Sequence, residues 1–279
     1  MKHFLTGCFF LLLFKYKSFS QIGAEAQGGK ASLWLALGID QKISKRWLSV
    51  TDIGYGRHSD PNNNALVKRQ GLNVLTQDFI YKANTHWHFA FSIGYWRRDF
   101  YDDNIPYNSR NYPQQFRNEI RPFQKAYYSH SLKNIIITHV FRTDYRFYYD
   151  QNFTDKWPTP FEFRARYLQV WKISLTKDKK NFIIPMDEIL TAVDKYSATI
   201  ALQKKSKWSP YQFIENRFSL YYRRSLLNQK IDIDLGVMYQ YWRDKPGVLT
   251  FNTSFNLMID IIIKEPFERK KAKENTTQN

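Results

Sequence analysis

Ile231-Asp232-Ile233-Asp234-Leu235-Gly236-Val237-Met238-Tyr239-Gln240-Tyr241 puts a large apolar side chain at every odd position. The even positions are polar or small, Met238 excepted. A helix would scatter these apolar residues around its axis, whereas a strand gathers them on one face. The same period recurs. Leu33, Leu35, Leu37 and Ile39 alternate with Trp34, Ala36, Gly38 and Asp40. Trp87, Phe89, Phe91, Ile93 and Tyr95 alternate with His88, Ala90, Ser92 and Gly94, and Phe255, Leu257, Ile259 and Ile261 with Ser254, Asn256 and Asp260. Strands in soluble domains are mostly about 5–6 residues long. Repeated strands of about ten, apolar on one side and polar on the other, mark a transmembrane barrel.

Working outward, the chain is all-β and predicts an antiparallel up-and-down transmembrane β-barrel. Candidate strands lie at 31–44, 46–58, 69–83, 85–101, 115–132, 134–149, 160–175, 181–194, 211–226, 230–243 and 248–263. Tight turns such as Lys133-Asn134 alternate with longer polar loops at 59–67, 102–114, 150–160 and 195–210, the short-turn and long-loop asymmetry of these barrels. Eleven strands would leave the first and last parallel, so the expected count is twelve (10–12), with 21–27 or 196–203 supplying another. Strands 46–58, 69–83 and 181–194 alternate poorly and leave their facing open. Trp47, Trp96, Tyr148, Tyr149, Trp208 and Trp242 are candidates for interfacial aromatic girdles. A soluble sandwich or lipocalin-like barrel also alternates, but with shorter strands and fewer aromatics than the 18% here.

The N-terminus points to export. Phe4 to Phe14 form an apolar run of signal-peptide length, and Ser18-Phe19-Ser20 fits the small-x-small rule for cleavage. As a helix the run is too short to cross a bilayer core of about 30 Å. The expected organisation is therefore a signal peptide at 1–20, a barrel at 21–264 and a polar basic tail at 265–279. Leu5-Thr6-Gly7-Cys8 spells a lipobox, but apolar residues follow Cys8, which makes it an ordinary residue of the run. Its removal leaves no thiol, hence no disulfide.

Charge is concentrated on the polar faces. Arg142, Asp144 and Arg146 share one side of their strand, opposite Phe141, Tyr145 and Phe147. Glu162, Arg164 and Arg166 do the same on the next strand, and Glu119 with Arg121 and Glu215 with Arg217 repeat the arrangement. Charges facing lipid near mid-membrane cost several kcal/mol, so these ten residues are expected to line the lumen as an ion-pair network, with neighbouring strands pairing Arg and carboxylate across the interior. Two roles follow: a structural filling, or the lining of a narrow selective pore.

Arg121-Pro122-Phe123-Gln124, then His139 with Arg142, Asp144, Arg146 and Phe147, then Phe163-Arg164-Ala165-Arg166-Tyr167, Asp187-Glu188 and Glu215-Asn216-Arg217 resemble a Bacteroidota-type family of outer-membrane barrels classified as a domain of unknown function. The resemblance implies architecture and location, and brings no catalytic residues. Val140 and Leu168 stand where it leads one to expect further basic residues.

No catalytic site, metal site or cofactor is expected. Outer-membrane lipid hydrolases of the phospholipase or lipid A deacylase type are similar in placing His and Ser two apart on one strand, and no histidine here has that spacing. His58-Ser59 and His130-Ser131 are adjacent and point to opposite faces. A hydrolase with a dispersed His/Ser dyad is the alternative from another class. His86 and His88 share a face on the expected strand but lack a third ligand. Net charge is +17, yet the basic residues are dispersed and form no stripe for nucleic acid. The partners expected are outer-membrane lipid, lipopolysaccharide phosphates and the barrel-assembly machinery. The sequence leaves the oligomeric state open.

Overall fold

The computed structural model describes residues 31–60, 64–100, 115–154, 156–200, 203–243 and 251–267. The signal peptide, the strand suggested at 21–27 and nearly all of the 265–279 tail lie outside them. Twelve strands follow one another: β1 (Ala31–Lys42), β2 (Trp47–His58), β3 (Arg69–Lys82), β4 (Trp87–Phe100), β5 (Gln115–Leu132), β6 (Ile135–Tyr149), β7 (Lys156–Ser174), β8 (Asn181–Ile200), β9 (Gln203–Trp208), β10 (Gln212–Leu226), β11 (Ile231–Arg243) and β12 (Phe251–Lys264). The eleven strands read from periodicity are all present, most within two residues of their expected ends.

The wall closes with eleven of the twelve. β1 to β8 pair in sequence, β8 pairs with β10, and β12 returns to β1. An odd number of alternating strands sends first and last the same way, and Ala31↔Phe255 through Asp40↔Lys264 is a parallel ladder. The expectation of an even, wholly antiparallel wall therefore fails at this one seam. Parallel pairing still satisfies both strand edges. The twelfth strand is β9, which pairs with the upper part of β8 from Lys195↔Trp208 to Ile200↔Gln203 and stands outside the wall.

Facing follows the alternation. Leu235, Val237 and Tyr239 are exposed on the outer surface, while Asp234, Gly236, Met238 and Gln240 are buried inside. The strands with poor sequence alternation keep a regular in–out alternation. Leu48, Val50, Leu72, Val74, Ile80, Ile184 and Met186 point inward into an apolar cluster with Trp34, Phe123 and Tyr127. Meanwhile Ser49, Thr51 and Gln77 face outward, where Gln77 Nε2 donates to Ser49 Oγ at 2.8 Å and Thr51 Oγ1 donates to Gln77 Oε1 at 2.6 Å. Their pattern was unreadable because part of the lumen is itself apolar. Val140 and Leu168 belong to that cluster.

Side chains just fill an eight-stranded barrel, and a wider wall needs more volume. Trp34, Phe123, Arg146, Arg217 and Arg223 supply it, each essentially without solvent exposure. Two aromatics lie flat over glycines of the neighbouring strand. A Cβ at Gly54 would stand 2.2 Å from Trp34 Cζ2, and one at Gly236 would stand 2.3 Å from Tyr221 Cδ1. Lumen-facing glycines of this barrel are thus occupied space, and free substitution of Gly236 by serine, which a water-filled lumen would allow, is not expected.

Candidate functional site

The ten charged residues singled out in the sequence all point into the barrel, and the fold brings them together. Four pairs form between residues two apart on one strand, the spacing that keeps side chains on one face. Arg121 Nε donates to Glu119 Oε1 at 2.5 Å and Arg142 Nε to Asp144 Oδ1 at 2.7 Å. Arg164 pairs with Glu162, and Arg217 Nη2 reaches Glu215 Oε2 at 3.0 Å.

Cross-strand contacts join these pairs into two chains. In the first, Arg146 on β6 clamps Glu119 on β5 through Nε and Nη2 at 2.8 and 2.9 Å, and reaches Glu162 on β7 at 2.5 Å. The second begins with Asp144, which takes Arg142 and then Arg166 Nε at 2.6 Å. Arg166 lies 3.6 Å from Glu188, which meets Arg217 Nη1 at 3.2 Å. Gln240 Nε2 closes the chain on Glu215 at 2.5 Å. Aromatics inside the barrel support the cations, Arg121 lying 3.7 Å over Trp96 and Arg142 3.9 Å over Phe123. Interlocked, charge-assisted pairs of this kind are the strong class of hydrogen bond.

Glu188 was visible in the sequence only as part of Asp187-Glu188, and its place in the network comes from the register with β7 and β10. A second group lies nearer the short turns. There Arg223 Nε donates to Asp234 at 2.5 Å, Lys264 lies 2.7 Å from Asp232, and Lys125 Nζ donates to Asp78 at 2.5 Å. The alternation of Asp232 and Asp234 with isoleucines was the available signal for the first of these. Partners on distant strands gave none.

The histidines do different things. His58 Nδ1 meets the backbone oxygen of Ser59 at 3.0 Å, while the Ser59 hydroxyl donates to the Asp60 carbonyl. His130 stacks on His139 on the outer surface, with ring centroids 5.5 Å apart. His86 and His88 do not share a face. β4 begins at Trp87, so His86 stays in the exposed turn with Nδ1 2.9 Å from the Ser129 oxygen, while His88 is buried inside. Among the described residues no group of three or more His, Cys, Asp or Glu is arranged to hold a metal ion.

The outer aromatics also differ from the expected set. Trp47 and Trp208 are exposed, but Trp96 and Tyr148 are buried in the lumen, where Trp96 stacks under Arg121. On the outer wall Trp47, Tyr81, Trp87 and Tyr128 lie toward the short turns, and Tyr95, Tyr145, Tyr239 and Tyr241 toward the loops.

A closed wall, apolar outside and ion-paired inside, defines an inside-out β-barrel. The family described as "Protein of unknown function (DUF2490)" matches residues 31–250, and the chain belongs to it. No curated protein matches the chain.

Proposed function

We propose that this protein is an exported, non-enzymatic barrel of a bacterial outer membrane, with a lumen closed by its own side chains and a structural or interaction role. Inverted polarity carries the reading. Phe91 is 61% and Leu235 51% exposed, while Arg146 and Asp144 are wholly buried. In water this arrangement would leave a broad apolar surface uncovered. In a bilayer it covers that surface with lipid, and closure leaves no unpaired strand edge in hydrocarbon. The barrel-assembly machinery would insert it, and basic residues near the rim would meet lipopolysaccharide phosphates.

Within this class, the filled lumen favours a closed structural barrel over a porin-like channel. Reconstitution into planar bilayers tests the choice. The wild-type protein is expected to give no stable channels, and steady, ion-selective openings would overturn the closed reading.

A further inference from the structure

Asp187 on β8 points outward, between the buried Met186 and Glu188 and flanked on its own face by Pro185 and Ile189. It is six residues along β8 from Asn181. A strand tilted by about 40° gains roughly 2.5 Å of height per residue, which puts Asp187 about 15 Å above the base of its strand. That is near the middle of an apolar band about 25 Å tall. Intramembrane carboxylates are rare and normally face a partner. Asn216 on β10 provides part of one, its Nδ2 donating to Asp187 Oδ1 at 2.8 Å.

The register partner of Asp187 on β7 is Gln169, which also faces outward. Its side-chain amide has no hydrogen bond among the described residues. The wall thus shows a carboxylate acceptor and a free amide donor side by side, rimmed by the exposed Ile189, Phe218 and Leu220. Two copies inserted in the same orientation can face each other only about a two-fold axis along the membrane normal. Such an axis exchanges left and right, so the acceptor of each copy meets the donor of the other. An isologous contact requires this self-complementarity.

We infer that the β7–β8–β10 face is the contact between two copies of this chain in the membrane, Asp187 of each accepting from Gln169 of the other. The inference rests on the outer-membrane reading above. The next outward rung, Tyr167↔Ile189, gives a test that leaves both polar residues intact. Differently tagged Tyr167→Cys and Ile189→Cys copies, each also Cys8→Ser, are co-expressed and oxidised in membranes. The two variants together should yield disulfide-linked heterodimers several-fold above the homodimer yield of either alone. In detergent, Asp187→Leu should sediment as a monomer while keeping a folded barrel's heat-modifiable mobility. Copies that float with membranes and are heat-modifiable yet do not cross-link would overturn the contact, as would cross-linking to a different protein. Copies that fail to float would overturn the membrane reading itself, and the contact with it.

Discussion

Arg146→Ala removes a side chain that is wholly buried and holds two carboxylates at once, Glu119 through two hydrogen bonds and Glu162 through one. Deleting one member of a buried ion pair costs about 3–5 kcal/mol, because the remaining charge is left without its partner. Here the loss is tempered, since Glu119 keeps Arg121 and Glu162 keeps Arg164. The low end applies, about 3 kcal/mol, or roughly a hundred-fold in the folding equilibrium. Urea titration of folding into lipid vesicles, followed by tryptophan fluorescence, measures it directly. Arg224→Ala is the control, since Arg224 is exposed on the outer face of β10 and surface changes usually stay within about 0.5 kcal/mol. If Arg146→Ala cost no more than Arg224→Ala at unchanged urea dependence, the network would not be holding the barrel together.

Other substitutions probe facing and filling. Leu235→Arg puts a cation on the outer wall and should cost about 2–4 kcal/mol in vesicle folding, whereas the same change in a soluble barrel would be mild. Gly236→Ser drives a side chain into the Tyr221 ring and should destabilise by about 1–3 kcal/mol, with partial recovery on adding Tyr221→Ala; an unchanged urea midpoint would mean the ring is not held there. Arg166→Ala should lower the melting temperature and admit small ion currents by opening volume between Asp144 and Glu188. Unchanged melting with altered ion selectivity would instead favour the selective pore.

Much of this architecture was legible because a closed wall with an apolar outside and a polar inside imposes a period of two. Ile231 to Tyr241 read correctly from the first residue, and the two-residue spacing of Arg and carboxylate fixes their shared face, but pairing is expected there between strands whereas four pairs form within one. The lumen was harder to read. Leu48, Val50 and Ile184 are apolar and inward, so their strands carry hydrophobic residues on both sides and the alternation vanishes from sequence while persisting in structure. Trp96 and Tyr148 resembled girdle residues by position near strand ends, but they are inward packing for Arg121 and Arg146. Glu188, Asp78 and Lys125 depend on register between strands far apart in the chain, which no local pattern encodes. The parallel β1–β12 seam, by contrast, follows from the eleven strands that periodicity counts, and the even number fails because the added strand, β9, stands outside the wall.

The most direct test of the inside-out barrel combines cell fractionation with gel mobility. The protein should be recovered in the outer-membrane fraction, resist extraction with carbonate, and migrate faster in SDS without heating than after boiling, because a closed strand ladder stays folded in detergent. Recovery in the soluble periplasm without detergent, with one mobility before and after boiling, would contradict the account.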